Sequence, residues 1–250
     1  MSKNKPSQQC YLCGKWANSC TRDHVPPKNL AGDVPNIQFM TVPACLKCNQ
    51  QFSSDESKFR DFLAIAGSNP ATAEADGALA AFKRNIERND LGRAGKPHKD
   101  LQRILDNIRE TEFYTPNRIY RGTTTSIGLP SDIDIRGIVL KIARGLHMFY
   151  TKEFIPSSYK MAANLYGDNS PLPAFDPDIF DLLQIGGKVG NFFHYVGGWA
   201  PENPKAGLWY MLFYGSVIGI ALWNNPNWRN AQLSLSVVPN EEATSAAMSE

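Results

Sequence analysis

The sequence predicts an α+β protein: a small cysteine-braced module on the N-terminal side, then a larger domain of helices and antiparallel sheet. Three observations predict it. Two Cys-x-x-Cys pairs, Cys10/Cys13 and Cys45/Cys48, enclose a short unit. Apolar residues recur at helical spacing in several later segments, most strongly after Ser131. The last third carries runs of aromatic and β-branched residues punctuated by Gly, Asn and Pro, the pattern of strands and turns.

Composition sets the outer bounds. With 250 residues, 42% apolar and 20% charged, the chain has material for one large or two modest globular domains. The net charge of +2 is unevenly spread, because residues 1–60 carry eight Lys/Arg against four Asp/Glu. That is a mild footprint for a polyanion, well short of a polybasic arm. Five cysteines at this length do not make a disulfide scaffold; four pair as Cys-x-x-Cys, and Cys20 is left as a packed or free thiol. No apolar leader follows Met1, so a signal peptide is not expected, and reduced cysteines point to a cytoplasmic setting. Ala206–Trp223 is eighteen residues without a charge, the lower edge of membrane-spanning length. Gly215-Ser216 at its centre suits a two-residue turn and the flanks are polar and Pro-rich, so a hairpin is expected and a membrane span is not.

Taken in order, residues 1–9 read as a disordered lead and 10–66 as the cysteine module with one helix after it. Ser53 and Glu56 form a capping-box pattern, and Phe59, Phe62, Leu63 and Ala66 share a helical face. The Gly/Pro/Ala stretch at 67–75 is the expected boundary. Residues 75–112 read as two helices broken at 92–97, with stripes Leu79/Phe82/Ile86 and Leu101/Ile104/Leu105/Ile108. Their mixed charges describe a solvated face. Residues 113–130 suggest short strands or loop. A helix follows from Ser131, with Asp132 and Asp134 in its first turn and Ile138, Ile142, Leu146, Phe149 and Tyr150 buried. A short helix is expected at 176–184, and strands at 188–196, 207–214 and 216–224. The domain thus covers 75–228, and 229–250 reads as a polar, disordered tail. The aromatics Phe192, Phe193, Tyr195, Trp199, Trp209, Tyr210, Phe213 and Tyr214 are expected in the core, with base stacking as the alternative; His147 and His194 are expected as packing or surface residues, not ligands.

The cysteine spacing is C-x2-C-x31-C-x2-C. Each Cys-x-x-Cys turn puts two thiolates on one side of a knuckle, and two knuckles complete a tetrahedral zinc shell. Such a site is closed, so this zinc would hold the fold and do no chemistry. It does not account for Asp23-His24 within the unit or for Asn49 directly after Cys48. A neutral imidazole can take a proton from water near pH 7. A carboxylate and an amide oxygen are hard ligands suited to Mg²⁺ or Mn²⁺. Together they offer what phosphodiester hydrolysis requires.

These residues resemble the HNH endonucleases, the ββα-metal nucleases, over residues 10–56, roughly a fifth of the chain. The resemblance lies in Cys10-x-x-Cys13, Asp23-His24-Val-Pro-Pro, Asn36, and Cys45-x-x-Cys48-Asn49. It implies two antiparallel strands and a helix braced by zinc. It also implies His24 as general base, Asp23 and Asn49 as ligands of one catalytic metal, and Asn36 as the residue orienting the base. The implied product ends are a 5′ phosphate and a 3′ hydroxyl, with DNA as substrate and RNA as an alternative. Two departures stand out. Eight residues separate Asn36 from Cys45, and the run after Cys48, Asn49-Gln-Gln-Phe-Ser-Ser-Asp55-Glu56, is neutral and then acidic. Metal binding by Asp55 or Glu56 is an alternative, but helix capping is the expected role of both. The alternative reading is a zinc-stabilised nucleic-acid-binding module without catalysis.

Overall fold

The computed structural model describes residues 7–66, 73–90, 102, 105–114, 117–128, 131–167, 172, 183–200 and 203–224. The break at 92–97 and the tail at 229–250 lie outside these residues, as do most of the expected helix at 176–184 and most of the boundary at 67–75. The architecture is mixed α+β with antiparallel sheets.

The N-terminal part opens with two very short paired strands, β1 (Gln8–Gln9) and β2 (Trp16–Ala17). The pairing brings Gln8 and Gln9 into the fold. Next come β3 (Thr21–Val25), a 3-10 turn at Lys28–Ala31, and β4 (Met40–Ala44). β3 and β4 form an antiparallel ribbon in which Asp23 faces Val42 and His24 faces Thr41. Two helices follow, α1 (Leu46–Gln51) and α2 (Ser53–Ala66), and then α3 (Ala73–Asp90). The capping box expected at Ser53 does not form. The Ser53 hydroxyl donates to the Gln50 carbonyl at 3.0 Å, because α1 runs almost directly into α2 and the Glu56 N–H already bonds the Phe52 carbonyl.

Ile108, expected on a helix, instead opens the hairpin β5 (Ile108–Tyr114) and β6 (Tyr120–Ile127). The Thr-rich run at 123–125 supplies the partner strand, and β-branched residues favour the pleat. Helix α4 (Ile135–Thr151) is capped by Asp134, whose carboxylate accepts the Gly137 N–H at 2.8 Å. The C-terminal sheet has β7 (Lys160–Tyr166), β8 (Ile185–Val189), β9 (Phe193–Ala200), β10 (Asn203–Phe213) and β11 (Val217–Asn224), in the order β7-β11-β10-β9-β8. The strand expected at 188–196 is thus two strands, split where Gly190 takes a positive φ of 56°. The β10–β11 turn has three residues, with Tyr214 and Gly215 both at positive φ, and β7 is a strand the sequence pattern did not announce.

The uncharged run at 206–223 is explained by this sheet. On β10, Trp209, Met211 and Phe213 join the main core while Leu208 lies in a second cluster with Ala200, Ile220 and Leu222. Interior strands covered on both faces need no polar alternation. Among the described residues no helix is long and apolar enough to cross a membrane.

One main core runs from Cys10 to Trp223. Phe59 of α2 meets Phe213 edge-on at 5.6 Å between ring centres, Phe39 meets Phe192 at 6.3 Å, and the buried Tyr214 hydroxyl donates to the Leu30 carbonyl. Helix α4 is buried nearly all round, as a helix apolar on several faces must be. Val139 lies beside Gly219 of β11, whereas Gly145, on the other side, presses on Val25 of β3. A Cβ at Gly145 would lie 2.5 Å from Val25 Cγ2, so glycine sets how near α4 comes to β3. His147 is buried between Trp199 and Trp223, and its Nδ1 has no hydrogen-bond partner among the described residues.

Two stability predictions follow from α4. Gly145→Ala gains about 1 kcal/mol of helix propensity but overpacks against Val25 by about 1–3 kcal/mol; calorimetry should show a net loss. Burial lowers the His147 pKa to about 4. The native state therefore refuses a proton that the unfolded chain accepts below about pH 6.5. Stability should fall on acidification from about pH 6.5 towards pH 4, and the difference curve against His147→Leu should carry that slope.

Candidate metal centre and active site

Both cysteine pairs sit where the local backbone turns tightly. The first knuckle is closed by Cys10 N–H to the Lys15 carbonyl at 2.9 Å and Gly14 N–H to the Cys10 carbonyl at 2.8 Å, with Gly14 at a φ of 71°. In the second, Cys45 is the N-cap of α1 and Cys48 lies one turn in. The four sulfurs of Cys10, Cys13, Cys45 and Cys48 lie within 4.8 Å of one another, and none is in a disulfide. The Cys13–Cys45 sulfur separation is 3.9 Å. A bonded pair would stand about 2 Å apart, whereas thiolates sharing a tetrahedral zinc stand about 3.8 Å apart. The donor set and spacing fit a thiolate-bound metal such as zinc. The backbone N–H of Cys48 lowers the Cys45 thiol to about 7, as a helix N-terminus favours thiolate.

The second constellation forms on β3. Alternation along the strand buries Asp23 and Val25 and leaves Arg22 exposed and His24 half-buried on the opposite side. Asn49 donates its amide to the Thr21 hydroxyl at 2.9 Å, and that hydroxyl donates to the Ala44 carbonyl at 3.0 Å. Thr21 and Asp23 are two residues apart, so Asn49 docks on the side of β3 that carries Asp23. The asparagine carbonyl oxygen takes no part in that bond.

His24 is held by an edge-on contact with Phe39 at 5.4 Å between ring centres. Burial first, and the Lys28 charge second, push its pKa below the ordinary histidine value, while Asp23 pulls the other way. The imidazole is therefore neutral at pH 7. Asn36 stands exposed at a turn with a positive φ of 63°, and no hydrogen bond among the described residues joins it to His24. Asparagine tolerates that left-handed backbone, which accounts for its presence there.

Two residues at this site, Lys141 and Tyr11, escaped sequence reasoning, and a third, Glu56, takes a role other than the cap expected of it. Lys141 of α4 is 2% exposed, and its ammonium pairs with Asp23 Oδ2 at 2.9 Å and with Glu56 Oε1. The Tyr11 hydroxyl donates to the same Asp23 oxygen at 2.7 Å. Glu56 thus serves Lys141, not the helix cap expected of it. Burial pushes the Glu56 carboxyl up and Lys141 pulls it partly back; burial and the Asp23 charge raise the Tyr11 hydroxyl well above its ordinary value. The available signal was Lys141 itself, a lone charge within Ile138-Val-Leu-Lys-Ile142, since lysine is almost never fully buried unless paired.

As a donor set, the Asp23 and Glu56 carboxylates and the Asn49 amide oxygen are the hard oxygens that Mg²⁺ or Mn²⁺ takes. A cation already stands between the two carboxylates in the form of the Lys141 ammonium. No family model, curated protein or solved structure matches the chain, so function is read from the geometry of its own residues.

The cysteine cluster yields one expectation. Purified protein should hold one zinc per chain by elemental analysis, and Cys48→Ser should lose it together with at least about 4 kcal/mol of stability, the range that follows loss of a structural metal.

Proposed function

We propose that this chain is a zinc-braced phosphodiester hydrolase of HNH type acting on DNA, with His24 as its general base. The observation that supports this best is the arrangement on β3. A neutral, half-buried imidazole occupies one side of the strand, while Asp23 and the docked Asn49 share the other; Asp23-His24 lies between the two cysteine knuckles and Asn49 directly follows the second. In the proposed reaction a nitrogen of His24 takes a proton from water. The water oxygen attacks phosphorus, the bond to the 3′ oxygen breaks, that oxygen takes a proton from solvent water, and a 5′ phosphate and a 3′ hydroxyl remain. A hard divalent cation such as Mg²⁺ or Mn²⁺, with Asp23 and Asn49 as its protein ligands, would supply charge neutralisation at the phosphate. Arg22 shares the His24 side of the strand and is exposed, so it offers a cation to the backbone. The zinc does no chemistry in this reading.

A second reading, a zinc-stabilised nucleic-acid-binding module without catalysis, is favoured by one specific observation. Asp23 Oδ2 is already engaged by Lys141 and Tyr11.

Conversion of supercoiled plasmid to nicked or linear DNA with Mg²⁺ or Mn²⁺ separates the two. Under the first, EDTA stops cleavage and His24→Ala lowers the rate by about 10²–10⁴, the usual worth of a general base, with folding and zinc content unchanged. The rate should fall on acidification, with its inflection below the ordinary histidine value, because only neutral His24 accepts the proton. DNA retention in a mobility-shift gel without any cleavage would select the second reading. An RNA duplex and single strand run alongside test the substrate class.

A further inference from the structure

The Asp23–Lys141–Glu56 triad joins three elements that are far apart in sequence. Asp23 is on β3, Glu56 on α2 and Lys141 on α4. Its placement follows from a register match. Lys141 and Gly145 lie four residues apart on one face of α4, and Asp23 and Val25 lie two apart on one face of β3. The close approach of Gly145 to Val25 therefore sets Lys141 against Asp23. Besides the two carboxylates, the ammonium faces the Phe52 ring at 5.7 Å, with the Tyr11 hydroxyl on the shared Asp23 oxygen.

We propose that Lys141 is the built-in cation of the Asp23–Glu56 carboxylate pair, and that a divalent cation engages Asp23 only by displacing it. Metal affinity of the N-terminal module is then governed by how α4 is seated, and Glu56 is a ligand of the metal once the ammonium leaves. Two positive centres cannot share one carboxylate pair at this distance without strong mutual repulsion. The pair is nearly dry, so solvent screens that repulsion little. The inference rests on Asp23 being a metal ligand, as in the hydrolase reading above.

The test is Mn²⁺ binding to zinc-loaded protein, followed by the electron paramagnetic resonance signal of free Mn²⁺. Wild type, Lys141→Met, Lys141→Gln and the double variant Lys141→Met/Glu56→Gln are compared. The expected result is at least a tenfold tighter Mn²⁺ affinity in the two single variants, lost again in the double variant. Equal affinity in wild type and single variants, or a gain that survives Glu56→Gln, overturns the inference. Removing Lys141 leaves the buried Asp23 carboxylate with only the Tyr11 hydroxyl and the half-buried Glu56 without its cation, so the single variants can fail to fold in plain buffer. In that event Mn²⁺ must restore a cooperative thermal transition, and failure to restore it also overturns the inference. The plasmid assay keeps the two ideas apart. Competition without cleavage sinks the hydrolase alone, whereas cleavage with an unchanged Mn²⁺ affinity sinks the role of Lys141 alone.

Discussion

A lysine ammonium withdrawn from water needs compensating charge, and in this protein Asp23 and Glu56 supply it. Desolvating one such ion costs several kcal/mol, so Lys141 can sit where it does only if β3 and α2 bring their carboxylates to it. The converse holds as well. Asp23 would be a costly buried anion without α4. The triad therefore fixes the rotation of α4 about its axis and the register of β3 beside it, a specificity that apolar contacts alone do not give. Gly145 provides the close approach that this geometry demands.

Around that contact the cysteine frame and the C-terminal sheet act together. The four sulfurs tie the turn after β1 to the start of α1, and Asn49, one residue beyond the last sulfur, ties α1 back to β3 through Thr21. The frame positions the strand that carries His24 and Asp23. Behind the strand stands α4, and behind α4 the sheet, so one packed interior supports both sides of the candidate site. The same strand serves two purposes by alternation, with inward residues that brace the fold and outward ones that meet solvent.

Much of this was legible in the sequence where the signal is local. Each Cys-x-x-Cys pair, the Asp-His pair and the apolar stripe of α4 lie within one short segment, and the aromatic runs marked the interior strands. What was not legible depends on partners far along the chain. Ser53 and Glu56 satisfy a capping pattern, yet Glu56 is claimed by a lysine 85 residues later. Ile108 completes a helical stripe, but a Thr-rich partner strand recruits it. Asn36 fits the spacing of an orienting residue only loosely, and backbone conformation is what the turn asks of it. Lys141 carried a readable anomaly, a charge among Ile, Val and Leu, but nothing local names its partners.

The hydrogen bond from Tyr214 to the Leu30 carbonyl spans 184 residues of sequence. Leu30, Phe59 and their neighbours bury their side chains against strands that follow them by most of the chain length. Contacts of that reach make folding slow, because loop closure is paid for before the contact rewards it. The cysteine knuckles, by contrast, all lie within residues 10–48 and would close early around a metal such as zinc. Metal uptake would then precede completion of the interior during synthesis, leaving a thiolate-bound, half-packed module that waits for its sheet.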